Sequence, residues 1–338
     1  MKVVAITEVG KVEIVDRDLP KIGPRDVLLK IKAAGLCTWE QRIFTGASKK
    51  GFPFVGGHEV AGEIAAIGEL VTNVKVGDRV TMGSSSCGTC RNCLRGQDKG
   101  CTEHFLNFSL MASIDGPGGF AEYKVHRSDG VFPVGDADWE VACLAEPLSC
   151  AIHAARILGV RLGDTAMIFG AGTMGLMNLI VLKKSGLRVG ITDTDKNRLE
   201  KAKQLGADYT FLANNNVRDE IKNTFNGGVD FSITAYGSEP VNQDALSVLN
   251  RRGKICLFAS AHPVETFQVD PNLMHELETQ AVGVVSADRQ DHAVATELIA
   301  TGQVDLRPLI DATYGIDEAQ KAFEHATGKP SYRVIIKP

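Results

Sequence analysis

The most prominent chemical feature of the sequence is a cluster of four cysteines, Cys87, Cys90, Cys93 and Cys101. Four thiolates at these spacings can surround Zn²⁺ tetrahedrally, and zinc suits soft sulfur ligands. Because four protein ligands leave no open position, we predict a structural zinc that holds this loop. An iron–sulfur cluster is the alternative, but ferredoxin-like spacing places a further, proline-flanked cysteine in the motif. A disulfide framework does not suit a reducing compartment.

A second set of metal-ligating residue types is spread over the first half of the chain. Cys37 follows a short apolar run, His58 and Glu59 lie in a Gly-Gly-His-Glu motif, and Glu146 precedes Pro147. Thiolate, imidazole and carboxylate are the ligands of catalytic zinc sites. Each residue also has an ordinary structural interpretation: a small core residue, a satisfied polar group and a carboxylate at a helix start. Spacing alone does not decide between the two.

A glycine-rich motif indicates a dinucleotide site. The sequence Gly170-Ala171-Gly172-Thr173-Met174-Gly175 directly follows the apolar run 165–169 and opens a helical pattern. In this context the glycines permit a tight turn, close approach of the pyrophosphate and close helix–strand packing. The phosphates then lie at a helix N-terminus. A glycine-rich turn in another kind of α/β domain is the alternative.

The cofactor preference is predicted from an acidic residue after the second strand. Asp193 lies at the end of this strand, 23 positions after Gly170. Its carboxylate can accept hydrogen bonds from both adenosine ribose hydroxyls and would repel a 2′-phosphate. Asp195 adds to this repulsion. We therefore predict NAD rather than NADP.

The distribution of apolar residues divides the chain into regions of different character. Short β-branched runs separated by Gly and Pro fill the first 147 residues, which indicates a β-rich domain. Strand and helix patterns then alternate, which predicts a doubly wound parallel sheet. The last fifty residues contain two helical patterns and a final strand.

Bulk properties restrict the class of protein further. The chain has 338 residues, 44% hydrophobic content and a net charge of −4. This length predicts two domains, and the absence of a basic excess argues against nucleic acid as a partner. The N-terminus lacks the pattern of a signal peptide, and no uninterrupted apolar run of about 18 residues is present. We expect a cytoplasmic protein with no membrane partner.

The sequence resembles the zinc-containing medium-chain alcohol dehydrogenases, and within them the sorbitol (polyol) dehydrogenase-like branch. The similarity runs over essentially the whole chain, through the glycine motif, Asp193 and the four-cysteine loop. It also includes residues 56–62, 76–80, 118–123 and 146–148.

The resemblance implies a complete architecture and a set of site residues. The fold is expected to be α/β, with a GroES-like β-barrel catalytic domain over residues 1–147 and a Rossmann NAD-binding domain over 148–285. The segment 286–338 is expected to return to the catalytic domain, with the active site in the cleft between domains. Two Zn²⁺ per chain and a homo-oligomer, a dimer or a tetramer, are also implied.

The resemblance also assigns individual residues. The family's catalytic zinc ligands match Cys37, His58 and Glu59, with Glu146 at the remaining ligand or water-binding position. The ribose-binding pair matches Asp193 and Arg198.

The chain departs from the family at the proton relay. The hydroxyl residue expected two positions after the zinc cysteine is Trp39, and a hydroxyl appears instead at Thr38. A histidine often found five positions after the cysteine is Arg42. Thr38, Glu40 or a zinc-bound water is therefore the candidate proton carrier. Trp39 is either a wall against the apolar face of a sugar or a core aromatic.

These observations predict an enzyme that transfers a hydride between NAD(H) and a polyol, sugar alcohol or other secondary alcohol or ketone. Zinc would act as a Lewis acid on the substrate oxygen. The tyrosine expected near the cysteine is Ile43, and Ser286 and Ala287 replace an Arg–aromatic pair, so sorbitol itself is not predicted. The alternatives are a threonine- or formaldehyde-type dehydrogenase and a non-catalytic binding descendant.

Overall fold

The computed structural model describes residues 1–102, 116–328 and 331–338. Within these residues the chain forms two compact units. One comprises Met1–Ser149 together with Ala287–Pro338, and the other comprises Cys150–Ser286.

The first part of the chain is rich in strands, as the β-branched runs predicted. Its elements are β1 (Lys2–Glu8), β2 (Lys11–Asp16), β3 (Asp26–Leu36), α1 (Thr38–Phe44), β4 (Glu59–Ile67), β5 (Arg79–Met82), α2 (Arg91–Leu94), β6 (Tyr123–Arg127), β7 (Val131–Pro133), α3 (Trp139–Ala142) and α4 (Ala145–Leu158). Short 3₁₀ turns lie at Asp98–Gly100 and Ser128–Gly130.

The middle of the chain alternates strand and helix. Its elements are β8 (Thr165–Phe169), α5 (Thr173–Lys184), β9 (Arg188–Asp193), α6 (Lys196–Gln204), β10 (Tyr209–Leu212), α7 (Val217–Thr224), β11 (Val229–Thr234), α8 (Glu239–Ser247), β12 (Leu249–Leu257), α9 (Pro271–Leu277) and β13 (Gln280–Gly283). The strands form a six-stranded parallel sheet in the order β10-β9-β8-β11-β12-β13. This is the 3-2-1-4-5-6 order of the doubly wound dinucleotide fold, so the predicted sheet is confirmed.

The C-terminal segment completes the sheet of the first unit. It contains α10 (Arg289–Ala300), β14 (Ile310–Gly315), α11 (Ala319–Gly328) and β15 (Arg333–Lys337), with 3₁₀ turns at Arg307–Leu309 and Ile316–Glu318. The seven-stranded sheet has the order β14-β15-β3-β4-β5-β7, and β6 also pairs with β3. The last strand of the chain is therefore hydrogen-bonded to β3, which leads directly to Cys37.

Burial explains why these segments form strands. Four of the five residues of β8 are buried, as a strand covered on both faces requires. In the first unit, Leu36 and Ile336 belong to one apolar cluster with Phe120 and Phe323, and Trp39 packs against that cluster. The core of the first unit thus lies directly behind the end of β3.

One stretch has the length and hydropathy of a membrane-spanning helix. It is Trp139–Leu158, and 72% of its apolar window is buried inside the protein. Two turn residues divide it into α3 and α4. This degree of burial is typical of a core helix, in which apolar side chains pack against the rest of the protein.

Two buried histidines lie in the first unit, and one of them, His292, joins the C-terminal segment to the sheet. His292 on α10 shares a 2.8 Å hydrogen bond between its Nε2 and the Thr81 hydroxyl, and its ring packs against Phe132. His126 Nε2 lies 3.0 Å from the carbonyl oxygen of Gly83. Burial lowers the pKa of each histidine to about 3. Both rings are therefore neutral in the folded protein at ordinary pH.

We predict that the first unit loses stability in mild acid. Because the folded pKa values lie below the unfolded value of about 6.5, the unfolded chain binds more protons below that pH. The stability is complete above about pH 6.5 and falls as the pH decreases toward 3. Between pH 6.5 and 5 the loss is about 2 kcal/mol per histidine.

Urea unfolding of the wild type and of His292→Gln at pH 7.5, 6.5, 5.8 and 5.0 measures this effect. The variant should lose less free energy of unfolding across this range, by about 2 kcal/mol. Equal pH dependence in both proteins would contradict a buried, neutral His292. Gln303→Ala, a change at an exposed residue of the same segment, serves as the control.

Candidate catalytic zinc site and cofactor site

Sheet pairing brings Cys37 and His58 together although 20 residues separate them in sequence. Cys37 follows β3 and is the N-cap residue of α1, while His58 immediately precedes β4. The two strands are antiparallel, with Gly35 paired to Glu59. The end of β3 and the start of β4 therefore meet at one edge of the sheet.

A glycine is needed directly before the histidine. Gly57 has φ +92°, and a Cβ at this position would lie 2.5 Å from the backbone nitrogen of Phe120. An L-residue would be strained in this conformation and would also clash with the backbone. The Gly-Gly-His-Glu motif thus reflects a close chain crossing as well as chemistry.

Three of the predicted metal ligands converge at this edge. One ligand atom from each of Cys37, His58 and Glu59 lies within 4.8 Å of the others. Glu59 is fully buried, and its Oε2 has no hydrogen-bond partner among the described residues. A buried carboxylate oxygen without a donor costs free energy unless a proton or cation compensates it. Thiolate, imidazole and carboxylate together match the donor set of zinc.

Glu40 orients the histidine. Its carboxylate is fully buried, and Oε1 accepts a 2.9 Å hydrogen bond from the backbone N–H of Gly57 and lies 2.8 Å from Nδ1 of His58. With Nδ1 occupied by this contact, Nε2 is the nitrogen left for a metal. A carboxylate in this position fixes the tautomer and increases the basicity of the ligand.

Arg333, on the last strand, provides the counter-charge for Glu59. Its guanidinium is buried, with Nη2 2.8 Å from Glu59 Oε1 and Nη1 donating to the carbonyl oxygen of Leu36 at 3.2 Å. The pairing of β15 with β3 puts Arg333 in this position. One oxygen of Glu59 is thus held by an ion pair, while the other is buried without a hydrogen-bond partner among the described residues.

Burial and neighbouring charges shift the pKa values of the three candidate ligands. Burial and the nearby Glu59 raise the pKa of the Cys37 thiol. Burial raises the pKa of Glu59 to about 7 despite Arg333. Burial disfavours charging of His58, but Glu40 and Cys37 outweigh it and raise the pKa of the imidazole well above its usual value. Burial thus disfavours the ionised forms of Cys37 and Glu59, and a divalent cation in contact with them would stabilise those forms.

Glu146 lies outside the three-residue group. It is in the first turn of α4 and half-buried, and its carbonyl oxygen accepts a 2.6 Å hydrogen bond from the Ser149 hydroxyl. Its charge raises the pKa of both Glu59 and Arg333, so it acts electrostatically on the same cluster.

The two candidate relay residues on α1 differ in environment. Thr38 is the first residue of the helix and is exposed. Trp39 is half-buried and packs edge-on against Phe54 and His58, with ring centroids 5.4 and 5.7 Å apart respectively. An indole has an N–H donor and no acceptor, so Trp39 cannot relay a proton as a hydroxyl does.

The four predicted structural ligands also converge. Cys87, Cys90, Cys93 and Cys101 each place a sulfur within 4.8 Å of the others. The sulfur–sulfur distances are 3.9 Å from Cys87 to Cys93 and 3.4 Å from Cys90 to Cys93. A tetrahedral zinc with Zn–S bonds of about 2.3 Å requires about 3.8 Å between sulfurs. The loop therefore fits one zinc ion.

The protonation behaviour of this loop supports the same conclusion. The backbone and hydroxyl of Thr89 lower the pKa of Cys87 to about 6, whereas burial and Cys90 raise the pKa of Cys93 to about 12. Without a cation the four thiols cannot all ionise together. All eight cysteines are free of disulfides in the structure.

In the second unit, the glycine motif forms the expected turn between strand and helix. Gly170 follows β8, Gly172 is the N-cap residue of α5, and Thr173 and Met174 begin the helix. A Cβ on Gly175 would lie 1.8 Å from the carbonyl oxygen of Gly170, so only glycine permits this packing. The N–H groups of the first helical turn have no intrahelical acceptor and are available to a phosphate.

Asp193 is fixed beside this turn. Oδ2 accepts a 2.7 Å hydrogen bond from the N–H of Ala171, and Oδ1 accepts one of 2.9 Å from the N–H of Asp195. Arg198 Nη1 lies 3.9 Å from Asp193 Oδ2 and 4.0 Å from the position a Cβ on Gly172 would take. The structure therefore brings Asp193, Arg198 and the glycine turn together.

Comparisons with known proteins agree with this architecture. The family "Alcohol dehydrogenase GroES-like domain" matches residues 23–136, and "Zinc-binding dehydrogenase" matches residues 173–301. L-threonine 3-dehydrogenase of Rhizobium johnstonii is 32% identical over 94% of this chain and 92% of its own length. Sorbitol dehydrogenase of Bacillus subtilis is 31% identical over 96% and 93% respectively.

A solved structure extends the match to the fold. The short chain alcohol dehydrogenase of Escherichia coli CFT073, complexed with NADH, is 25% identical with a TM-score of 0.88. The match covers 100% of this chain and 99% of that one.

The chain belongs to the zinc-containing medium-chain alcohol dehydrogenase family, in its sorbitol and polyol dehydrogenase-like branch. It is a zinc-binding, nicotinamide-dependent oxidoreductase that acts on small alcohols and ketones. The predicted family, fold class and enzyme class are confirmed.

Two residues of the site have roles that the sequence does not predict. Glu40 is expected from the sequence only as a proton carrier, and no role is expected for Arg333. The spacing of Glu40 three residues after Cys37 was a usable signal for a carboxylate on the same helical turn. Arg333 gave no signal, because its contact depends on the pairing of strands almost 300 residues apart.

We predict that Glu40→Ala weakens zinc binding at Cys37 and His58. The change removes the acceptor at His58 Nδ1 and leaves the Gly57 N–H buried without a partner. Loss of such an outer contact typically reduces metal affinity about 10- to 100-fold. Competition with a chromogenic chelator measures the affinity, and the tightly held zinc of the four-cysteine loop is the internal reference. Glu69→Ala, at an exposed position, should not alter either zinc. Unchanged affinity in Glu40→Ala would contradict the orienting role.

Proposed function

We propose that this enzyme is an NAD-dependent dehydrogenase of polyols, sugar alcohols or related secondary alcohols. The observation that carries the proposal is the convergence of Cys37, His58 and the buried Glu59 in a chain with a dinucleotide-binding fold. The family supplies the reaction type, and the residues of this chain support the assignment of each part.

For the metal we propose Cys37, His58 and Glu59 as ligands, with Glu146 at the remaining ligand or water-binding position. When bound, zinc supplies Lewis acidity that polarises the substrate oxygen. Glu40 holds His58 in the ligating orientation, and Arg333 limits the negative charge of Glu59. Glu146, half-buried at the start of α4, is the carboxylate able to exchange with water.

The contacts of Glu40 argue against it as the proton carrier. Its Oε1 is engaged by the Gly57 N–H and by His58, and the whole side chain is buried, so neither oxygen is open to solvent for the release of a proton. Thr38 is exposed beside Cys37 and keeps its hydroxyl available. We propose that Thr38 and water carry the proton to solvent.

For the cofactor we propose NAD, bound at the residue 170–175 turn with Asp193 on the adenosine ribose. Two backbone N–H groups hold the Asp193 carboxylate in place, and its negative charge opposes a 2′-phosphate. Arg198 lies beside Asp193 and the glycine turn, where it can contact the ribose or the pyrophosphate.

We predict that Asp193→Asn reduces the preference for NAD over NADP. Asparagine keeps an acceptor for one of the two backbone N–H groups, places an amide N–H2 donor at the other, and loses the charge that repels a 2′-phosphate. A charge-assisted hydrogen bond contributes about 1.5 to 3 kcal/mol, so kcat/KM for NAD should fall about 10- to 100-fold. Steady-state kinetics with both cofactors measure the ratio. Asp219→Asn, at an exposed residue of α7, is the control. An unchanged ratio would remove Asp193 from the ribose site.

A threonine-type dehydrogenase is the second candidate, because the relatives include L-threonine 3-dehydrogenases with similar identity. The two candidates differ in the charge carried by the substrate, and the site residues described so far serve either. We prefer the polyol assignment because of the branch to which the chain belongs.

The decisive experiment is an alcohol panel monitored by NADH absorbance at 340 nm, together with metal analysis. The panel should contain linear polyols, cyclitols, simple secondary alcohols, L-threonine and the formaldehyde–glutathione adduct. We expect turnover of polyols and two zinc ions per chain, with one remaining in Cys37→Ser/His58→Ala. Preference for L-threonine or the adduct would overturn the polyol assignment. Zinc confined to the cysteine loop with no turnover would support a binding protein.

For the assembly we propose a homo-oligomer, a dimer or a tetramer. Strand β13 lies at one end of the parallel sheet and pairs only with β12 among the described residues. Such an edge leaves backbone groups open to a second strand. Val285 and Leu273 nearby are 69% and 52% exposed, which adds apolar surface for a second copy.

We also propose a role for each domain and a cellular location. Residues 1–147 with 286–338 form the catalytic part, and residues 148–285 bind NAD. A cytoplasmic location agrees with eight free cysteines, four of them in a metal-binding loop, since such thiols persist in a reducing compartment.

A further inference from the structure

The residue that replaces the family's relay hydroxyl carries a cation on its ring. Trp39 contacts the ring of His58, and Lys50 Nζ lies 5.9 Å from the Trp39 ring centroid. A lysine within about 6 Å of an indole face is attracted to it. The contact therefore connects the zinc-binding histidine, a half-buried aromatic surface and a positive charge.

The charge of the surrounding segment has one sign at the surface. Over residues 38–53 the charged side chains are Glu40, Arg42, Lys49 and Lys50. The carboxylate is buried against His58, whereas both lysines are exposed. Neither lysine lies within ion-pair distance of a carboxylate in the parts of the chain that the structure describes. The protein as a whole has a net charge of −4, so this positive segment is a local feature.

The cluster behind Trp39 has acidic side chains and a buried cation that is already paired. Glu40, Glu59 and Glu146 lie there with Cys37, and Arg333 is already paired with Glu59. An anionic end of a substrate would therefore find its cation at Lys50, because Arg333 is already engaged by Glu59. The arrangement sets the direction in which such a molecule binds, with its hydroxyl inward and its anionic group outward.

The dimensions agree with a short linear polyol. An extended chain of five or six carbons spans about 5 to 6.5 Å, since each C–C bond of about 1.5 Å advances by about 1.25 Å. The ring centroids of His58 and Trp39 are 5.7 Å apart, and Lys50 Nζ lies 5.9 Å from the Trp39 ring centroid, so Lys50 Nζ is at most about 12 Å from the His58 ring centroid. Metal–oxygen contact at one end and a charge-assisted hydrogen bond at the other fill the remaining length.

We propose that Lys50 and Trp39 form a subsite for an anionic group on the alcohol substrate, so that the preferred substrate is a phosphorylated polyol or a sugar acid. The indole covers the apolar face of the carbon chain, and the ammonium binds the phosphate or carboxylate. This proposal rests on the proposed dehydrogenase function and specifies its substrate class.

Paired substrates test the charge requirement. Sorbitol, sorbitol 6-phosphate and gluconate share a carbon skeleton and differ in the anionic group. We expect kcat/KM for at least one anionic compound to exceed that of sorbitol by about tenfold or more. Its KM should rise between 50 and 300 mM NaCl, because salt screens an exposed ion pair. Comparison of the phosphate with the carboxylate identifies which anion is bound. Faster turnover of sorbitol than of both anionic compounds would overturn the proposal.

Adjacent lysines provide a matched pair of variants. Lys50→Met keeps the aliphatic stem and removes the charge, and Lys49→Met makes the same change one residue away. Lys50→Met should raise KM for the anionic compound about tenfold more than KM for sorbitol, with little change in kcat. Lys49→Met should change both KM values less than twofold. Equal effects of the two variants, or equal effects on charged and neutral substrates, would contradict a specific role of Lys50.

A binding measurement separates this proposal from the proposed function. The chain has two tryptophans, Trp39 and Trp139, so Trp139→Phe leaves Trp39 as the fluorophore. In metal-free protein of this background, sorbitol 6-phosphate or gluconate should change the Trp39 emission saturably, and Lys50→Met should abolish the change. If no alcohol reduces NAD but this signal is present, the dehydrogenase assignment fails and the anion subsite stands. If sorbitol is oxidised but the signal is absent, only the anion subsite fails.

Discussion

The structure depends on one electrostatic constraint, the concentration of buried negative charge where β3 ends and β4 begins. Cys37, Glu59 and Glu40 cannot all be ionised in a buried site unless positive charge is brought close to them. Arg333 supplies part of this charge, and the remaining imbalance appears in the raised pKa values of Cys37 and Glu59. A divalent cation removes the imbalance, so the site is organised for a metal before any metal binds.

The need for a positive charge beside Glu59 is met by the way the chain returns to the first unit. The counter-charge comes from β15 at the end of the chain, after the cofactor-binding unit has been completed. The return of the chain therefore contributes a residue to the metal site as well as strands to the sheet. The same C-terminal segment contributes His292 to the core and Asp288 to the cysteine loop, where it accepts a 3.1 Å hydrogen bond from the N–H of Lys99.

The two metal sites solve different physical problems. The cysteine loop has little apolar core of its own, and its four sulfurs lie close enough together to hold one zinc ion, which would have a closed coordination shell. The Cys37 site is formed by packed strands and retains a carboxylate oxygen without a donor. The replacement of a hydroxyl residue by Trp39 leaves the metal ligands intact and changes the surface next to them. Substrate choice and proton transfer can thus vary while the zinc chemistry stays the same.

The sequence by itself determined the parts of the protein that local patterns specify. The cysteine spacing, the glycine turn after an apolar strand and Asp193 are encoded within short segments, because a loop, a turn and a strand end form from neighbouring residues. The resemblance to the family predicts that Cys37, His58 and Glu59 belong to one metal site. The spacing of these residues alone does not predict it. Tertiary structure alone decided the roles of Glu40 and Arg333. The carboxylate of Glu40 meets His58 only when α1 packs beside β4, and Arg333 reaches Glu59 only because β15 pairs with β3. Such contacts depend on strand register between distant segments, which no local pattern encodes.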